Sequence, residues 1–289
     1  MDPSPPIFER DPRAILIVRL SARGDVMFAT PIIRALRKRW PRAHLSWVVE
    51  PKSSDVVLNH PGLDEVIVWD RDQWKGWLRA GRLGRLRRAA LGLRETLLER
   101  SYDLAIDMQG LLRSGIVARA SRAPVCISLG PQEGSGLLMT HRYPTGRYVA
   151  EMSGEPKLMA KWLGLDTSDF SLDLHLDPEV RLGARARLAE AGVTGPFTLI
   201  VPFTTRAWKH WFEDRWAALA TALRRETGLP VVLAGGPADR EAADRILAAA
   251  PGDIVDLVGK TSLGEAVGVV AESSLVVGVD TALTHAAHA

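Results

Sequence analysis

The sequence predicts an α/β protein with two parallel-sheet domains. Short apolar runs, typical of strands buried on both faces, alternate with longer segments whose apolar residues have helical spacing. This alternation is interrupted near Asp177 and then resumes, so we predict one domain over residues 1–177 and a second over residues 178–289. Alternation on both sides of one boundary indicates two Rossmann-like domains, which we expect to face each other across a cleft.

The first domain begins with a buried strand followed by helical sequence. Residues 15–18 are four consecutive branched apolar residues, and residues 26–40 then carry apolar side chains at helical spacing. Further strands are expected at 43–50, 65–69, 102–111 and 124–129, and further helices at 73–100 and 151–163. The segment 130–146 has four glycines and two prolines, which predicts a long loop.

The second domain repeats the pattern. We predict strands at 197–201, 231–234, 254–258 and 275–279, and helices at 179–191, 213–226, 238–249 and 263–271. The sequence stops inside a further predicted helix at 281–289, where one more strand and helix ordinarily follow. We therefore expect this domain to be incomplete at its C-terminal end.

Composition indicates a globular protein of a reducing compartment. The 289 residues exceed the usual size of one domain, and 46% of them are hydrophobic and 25% charged. Cys126 has no second cysteine to pair with, so a disulfide within the chain is excluded. No apolar run approaches the roughly 18 residues of a membrane span, and residues 1–6 do not resemble a signal peptide. We expect a cytoplasmic protein.

A basic segment lies within the helix predicted at 73–100. Between Lys75 and Arg94 the sequence has seven basic residues and no acidic one. Such a density attracts phosphates, nucleic acid or anionic lipid headgroups, and a solvated helix face is the equally common alternative.

Asp25 lies where the first strand passes into its helix. Ligands of open α/β sheets bind at this carboxyl edge, so the carboxylate is a candidate for chemistry. Capping the helix is the more frequent use of such an aspartate.

Two strand ends of the second domain carry candidate anion-binding residues. The hydroxyls of Thr204 and Thr205, with Lys209, suit a diphosphate, the alternative being a polar loop with aromatic packing residues. Asp280 and Thr281 open the last predicted helix, which has His285 one turn in, and they serve either as caps or as a phosphate-binding helix start.

Other ligand motifs are weak or missing. Asp239 follows a glycine turn, from which a carboxylate reaches ribose hydroxyls. The glycine fingerprints of dinucleotide oxidoreductases and of P-loop NTPases are missing. His285 and His288 lack further ligands, so we predict no metal and no cofactor.

Five motifs together resemble the ADP-heptose-using glycosyltransferases of family nine over most of the chain. They are Gly24-Asp25-Val26 after the first strand, residues 47–50, residues 102–111, Thr204-Thr205-Arg206 with Lys209-His210-Trp211, and residues 279–281 with His285. Residues 107–111 and the threonine–lysine motif favour the type I heptosyltransferases of this family over type II.

The resemblance implies a GT-B fold, in which the first domain binds the acceptor and the second the sugar nucleotide. Asp25 is then the general base of an inverting transfer. The residues that match donor-binding positions are Thr204, Thr205, Lys209, Asp239, Asp280, Thr281, Ala282 and His285. Lys209 would neutralise the departing ADP in place of a divalent ion, and would count with Asp25 as catalytic.

The implied substrates are an ADP-heptose donor and a Kdo–lipid A acceptor. The residues that match acceptor-binding positions are Gly24, Arg71, Lys75 and Gln109. The basic segment would then bind the inner leaflet of the bacterial inner membrane, with Trp74 and Trp77 near the interface, and the enzyme would be peripheral to that membrane. We predict no nucleic acid partner, because exposed aromatics are not interleaved through the segment.

Two features depart from the family pattern. Ala282 stands where the family typically has glycine, and its β-carbon would crowd a diphosphate. The family's final strand and returning C-terminal helix are missing from the sequence. Two alternatives follow, namely a family-nine enzyme with another acceptor or nucleotide sugar, type II included, and a truncated member that binds lipid or nucleotide without turnover.

Overall fold

The computed structural model describes residue 8 and residues 10–143, 154–204 and 207–288. The chain forms two compact units, Met1–His175 and Leu176–Ala289. Each of them is a parallel sheet covered by helices. The predicted α/β class is confirmed.

The first unit has six described strands and six described helices. The strands are β1 (Ala14–Val18), β2 (His44–Val49), β3 (Glu65–Val68), β4 (Leu104–Asp107), β5 (Val125–Leu129) and β6 (His141–Tyr143). The helices are α1 (Arg23–Ala29), α2 (Pro31–Arg39), α3 (Arg71–Arg79), α4 (Leu83–Glu99), α5 (Leu112–Ala120) and α6 (Gly154–Trp162). All strands run parallel in the order β3-β2-β1-β4-β5-β6.

Strand β1 is central and buried on both faces, as its apolar run predicts. Ile15 and Ile17 pack into the core on one side of the sheet, and Leu16 and Val18 pack into the core on the other. Cys126 of β5 is buried in the second of these cores, where it serves packing.

Glycine and proline divide two helical segments that the sequence pattern joins. Pro31 opens α2 directly after Thr30, because proline is well suited to the first turn of a helix. Gly81 has a φ of +67°, a left-handed conformation that separates α3 from α4. The region 73–100 is therefore two helices rather than one.

The prediction of a long loop over residues 130–146 is wrong for two short segments. Residues Ser135–Leu138 form a short 3₁₀ helix, and His141–Tyr143 form the edge strand β6, which pairs with β5. Three residues without an apolar pattern give no sequence signal for a strand. Residues 144–146 lie outside the described part of the chain.

The second unit contains β7 (Thr198–Val201), β8 (Val231–Leu233), β9 (Ile254–Asp256) and β10 (Leu275–Gly278) in one parallel sheet of order β10-β7-β8-β9. Its helices are α7 (Pro178–Glu190), α8 (Glu213–Thr227), α9 (Arg240–Ala249), α10 (Leu263–Glu272) and α11 (Ala282–Ala286). Its main core lies between this sheet and helices α8 and α9.

The strand orders place a switch point in each sheet. In the first unit the chain proceeds from β1 to β2 and β3 on one side and then to β4 on the other. In the second unit β7 is followed by β8 and β9 on one side, and β10 lies on the other. Ligands of open α/β sheets bind at the carboxyl ends of strands that flank such a point.

Among the described helices, none has both the length and the apolar character that crossing a membrane requires.

Candidate active site

Asp25 lies in the first turn of α1, after the carboxyl end of β1. The residue that precedes the helix is Ala22, whose backbone N–H donates a hydrogen bond to Asp25 Oδ2 (3.1 Å). The Asp25 side chain is 50% exposed. The carboxylate thus closes the helix start and still remains accessible to solvent.

Arg19 is a site residue that the sequence reasoning missed. Its Nη2 lies 3.1 Å from Asp25 Oδ2, and its Nη1 donates to the carbonyl oxygen of Met108 at the end of β4. The arginine side chain is only 15% exposed. A signal was present, because Arg19 directly follows the buried strand β1 at its carboxyl edge.

A tight turn after β4 is built by Asp107. Its Oδ1 accepts hydrogen bonds from the backbone N–H groups of Gln109 and Gly110, both at 3.0 Å. The carboxylate is buried, which raises its pKa, while these hydrogen bonds act in the opposite direction. Gly110 has a φ of +71°, and a β-carbon there would lie 2.8 Å from the Leu129 carbonyl oxygen. Only glycine fits this turn.

Gln109 reaches from this turn to the loop that carries Asp25. Its Oε1 accepts hydrogen bonds from the backbone N–H groups of Leu20 (2.8 Å) and Ser21 (3.2 Å). Its Nε2 lies 3.4 Å from the Ser21 hydroxyl. Gln109 is predicted to bind the acceptor, and in this structure its amide oxygen holds the β1–α1 loop.

The other predicted acceptor residues are distributed around the same unit. Gly24 is the second residue of α1 and is half-buried. Arg71 opens α3 and pairs with Glu50, Nε to Oε1 at 2.8 Å. Lys75 lies one turn further along α3, is 48% exposed, and has its Nζ 3.8 Å from Asp72 Oδ1.

In the second unit, Asp280 joins two basic side chains at the carboxyl end of β10. Lys209 Nζ donates to Asp280 Oδ2, and His285 Nε2 lies 2.8 Å from Oδ1. The hydrogen bond from Lys209 lowers the pKa of Asp280, and His285 contributes in the same direction. The structure therefore brings together side chains that are distant in the sequence, since Lys209 and Asp280 are 71 positions apart.

Thr204 connects the β7 loop to this cluster. Its hydroxyl donates to the backbone carbonyl of Asp280 (3.3 Å), and its own carbonyl lies 2.7 Å from His210 Nε2. Thr281 precedes α11 without a capping hydrogen bond from its side chain, and Ala282 is the first residue of that helix. Thr205 lies outside the described residues.

Asp239 occupies the β8–α9 connection. Its Oδ2 accepts a hydrogen bond from the backbone N–H of Gly236 (2.8 Å), which closes the glycine turn. The carboxylate is only partly buried, as contact with a ribose would require.

Exposed aromatic side chains flank Lys209 in the sequence, where the alternative interpretation of this loop took them as packing residues. Trp208 is 74% exposed, Trp211 45% and Phe212 70%. The Lys209 ammonium lies 5.1 Å from the centre of the Trp208 ring. Trp211 also packs edge-on against the buried Trp216.

A second histidine cluster lies in the first unit. The imidazoles of His60 and His175 flank Asp173, with Nε2 to carboxylate distances of 3.5 and 3.3 Å. These three side chains have the composition of a metal site. However, the Gly62 N–H donates to His60 Nδ1 (3.0 Å), which leaves the ring proton on Nε2, the atom a metal would need. The hydrogen bond at Nδ1 of His60 therefore argues against a metal site in this cluster.

Each of the two parallel α/β units has charged side chains at its switch point, where ligands of open α/β sheets bind. Residues 90–289 match the family described as glycosyltransferase family 9 (heptosyltransferase). The chain belongs to this family and is a glycosyltransferase. The predicted family and the GT-B fold class are confirmed.

Three relatives illustrate the similarity. Lipopolysaccharide heptosyltransferase 1 of Pseudomonas aeruginosa is 30% identical over 95% of this chain and 75% of its own length. The Salmonella typhimurium protein of the same name is 27% identical over 94% of this chain and 83% of its own. The structure of Escherichia coli heptosyltransferase WaaC with ADP-2-deoxy-2-fluoro heptose has a TM-score of 0.72 and 26% identity, covering 94% of this chain and 84% of that one.

Proposed function

We propose that this enzyme transfers L-glycero-D-manno-heptose from ADP-heptose to the Kdo of Kdo–lipid A, with inversion, in lipopolysaccharide inner-core synthesis. The observation that carries the proposal is the half-exposed carboxylate of Asp25 at the β1/β4 switch point, in a chain similar to two lipopolysaccharide heptosyltransferases 1. The related structure with a fluorinated ADP-heptose supports the donor class.

Asp25 is proposed as the general base. One carboxylate oxygen, Oδ2, already accepts from Ala22 and faces Arg19, so Oδ1 is the oxygen available to the acceptor hydroxyl. As the hydroxyl oxygen attacks the anomeric carbon, its proton moves to Asp25 and the bond from that carbon to the ADP oxygen breaks. One glycosidic bond forms and ADP leaves with the electron pair.

The second unit is proposed to bind the donor. Lys209 would exchange its contact with Asp280 for the diphosphate and stabilise the charge that develops on the leaving ADP. Thr204, Thr205, Thr281 and Ala282 would supply hydroxyl and backbone N–H donors, and Asp239 would bind the ribose. His285 is mostly buried and bonded to Asp280, so we propose that it supports the donor site through that carboxylate.

The acceptor residues are proposed in the first unit. Arg71 and Lys75, adjacent on α3, are suited to the phosphates of lipid A, for which Arg71 would release Glu50. Gly24 lies beside Asp25 and lets the acceptor approach the backbone. Gln109 borders the same loop.

We also propose that helices α3 and α4 bind the anionic inner leaflet from the cytoplasmic side. Arginines along α4 are exposed, among them Arg85, Arg87 and Arg88. Leu78, Leu83 and Leu91 are 57%, 61% and 46% exposed, although leucines are usually buried. Basic and apolar side chains exposed together suit a lipid surface. Trp74 instead packs against Trp69, at 5.5 Å, and is half-buried.

Release of ADP from ADP-heptose tests the reaction. We expect release that depends on Kdo–lipid A, and a loss of about 10³-fold in kcat for Asp25→Ala, within the range for a general base. Asp55→Ala is the matched control, because it removes another partly exposed carboxylate near α1, paired with Arg23. Preference for a UDP- or GDP-sugar in thermal shift, or turnover with a different acceptor only, would contradict the proposal.

Flotation with vesicles tests the membrane surface. We expect the protein to float with phosphatidylglycerol vesicles and not with phosphatidylcholine vesicles. Arg85→Gln combined with Arg88→Gln should weaken this binding at least about tenfold, since each basic residue contributes about 1 kcal/mol. Arg215→Gln combined with Arg225→Gln removes the same charge from exposed positions of α8 and should leave binding unchanged.

A further inference from the structure

We infer that Arg19 is a positioning residue for the transfer reaction, which orients the Asp25 carboxylate so that Oδ1 faces the acceptor hydroxyl. This inference rests on the proposed function, because it takes Asp25 as the base. Arg19 is not among the residues that the sequence motifs assign to either substrate.

The first argument is the rigidity of Arg19. Its main chain is tied on both sides, since its N–H donates to the Val48 carbonyl (3.3 Å) and its carbonyl accepts from Trp47 Nε1 (3.1 Å). Its side chain is held by the Met108 carbonyl and is 15% exposed. The main chain of Arg19 is therefore fixed to β2, and its guanidinium is fixed to the residue that follows β4, independently of α1.

The second argument is which carboxylate oxygen the guanidinium faces. Arg19 Nη2 and the Ala22 N–H both lie 3.1 Å from Oδ2 of Asp25. Two contacts from opposite ends of the β1–α1 loop to one oxygen fix the plane of the carboxylate and leave Oδ1 for the incoming proton. The planar guanidinium provides two directed contacts, to Met108 and Asp25, which a lysine ammonium does not reproduce.

The third argument is accessibility. The Asp25 side chain is 50% exposed, whereas that of Arg19 is 15% exposed. The carboxylate is therefore the more accessible of the two groups to an acceptor hydroxyl. Arg19 acts through Asp25, and its removal should impair the chemical step more than substrate binding.

Steady-state kinetics of Arg19→Ala test the inference. We expect kcat to fall about 10²-fold, the usual effect of misplacing a reacting group by about 1 Å, with KM for donor and acceptor within about threefold of wild type. Guanidinium chloride below the denaturing range should raise the kcat of Arg19→Ala at least about tenfold, whereas NaCl at the same concentration should not. A kcat within about threefold of wild type, or a loss confined to the acceptor KM, would overturn the inference.

Two further variants keep the outcome decisive. If Arg19→Ala does not fold, Arg19→Gln replaces it, because this variant keeps an N–H donor for Met108 and lacks the charged contact with Asp25. We expect the same loss of kcat. A wild-type kcat would refute the inference. Asp25→Asn should be inactive and not respond to guanidinium. Wild-type activity of Asp25→Asn would refute the proposed general base, whereas an inactive Asp25→Asn beside a fully active Arg19→Gln refutes only the role of Arg19.

Discussion

Two roles are open to the side chain of Gln109, namely to bind the acceptor or to hold the β1–α1 loop, and a kinetic experiment distinguishes them. In the sequence this residue is a candidate acceptor ligand, whereas in the structure its oxygen accepts hydrogen bonds from two backbone N–H groups of the β1–α1 loop. Gln109→Ala removes both bonds. Each N–H is partly buried, so we expect a loss of about 1 kcal/mol per bond, or about 2 kcal/mol of unfolding free energy in all.

Loss of these bonds should also affect the position of Asp25, which follows Ser21 by four residues and lies in the first turn of α1. We expect kcat of Gln109→Ala to fall at least about tenfold, because the base is no longer held in one position. Acceptor KM should change by less than about threefold. Urea unfolding and ADP release measure the two quantities on one preparation.

Gln109→Glu is the matched control. Its carboxylate keeps an oxygen in the position of Oε1, so both backbone N–H groups retain an acceptor, and we expect a stability loss below about 1 kcal/mol. If Gln109→Ala has wild-type stability and kcat but a tenfold higher acceptor KM, the side chain serves the acceptor, and the reasoning from the loop contacts is wrong.

Three further predictions concern stability. Gly110→Ala should lower the free energy of unfolding in urea by more than about 2 kcal/mol, since its β-carbon meets a carbonyl oxygen at 2.8 Å. Gly81→Ala is the control, with a similar φ of +67° and open space around it, and should lower that free energy by only about 1 kcal/mol. The pKa of Asp280 is lowered in the folded state, chiefly by Lys209, so its contribution is present above a pH of about 4 and is lost as pH falls through the folded pKa. In Asp280→Asn, the free energy of unfolding measured with urea should depend less steeply on pH between about pH 3 and 5. An unchanged pH dependence would contradict the pairing. Burial lowers the pKa of His60, so wild-type stability should decline as pH falls from about 6.5, and His60→Asn, whose oxygen can still accept from the neighbouring backbone, should remove that decline.

The sheets and their switch points could be predicted from the sequence because their signals are local. Four branched apolar residues at 15–18 favour a strand buried on both faces, and the apolar residues 199–201 favour another. Once strands and helices alternate, parallel pairing follows, and polar residues after a strand must lie at its carboxyl edge. Asp25, Lys209 and Asp280 were found in this way.

The contacts that hold these residues could not be predicted, because they depend on register between distant strands. Arg19 and Gln109 act on partners 88 or 89 positions away, and the pairing of Val18 with Asp107 is what brings them together. No local pattern encodes that register. The edge strand β6 was missed for a related reason, since its pairing with β5 rather than its composition makes it a strand.

The two switch points share one arrangement and use it differently. In each, a carboxylate that is about half exposed pairs with a more buried cation, Asp25 with Arg19 at 15% and Asp280 with Lys209 at 22% exposure. Arg19 is also bonded to a backbone carbonyl, so it holds the Asp25 carboxylate in place with one oxygen left exposed, as the proposed base requires. In the second unit Asp280 is also bonded to His285, so the partner that can leave is the lysine. In the proposed donor site, the Lys209 ammonium would leave Asp280 to meet a phosphate, while His285 keeps Asp280 in place.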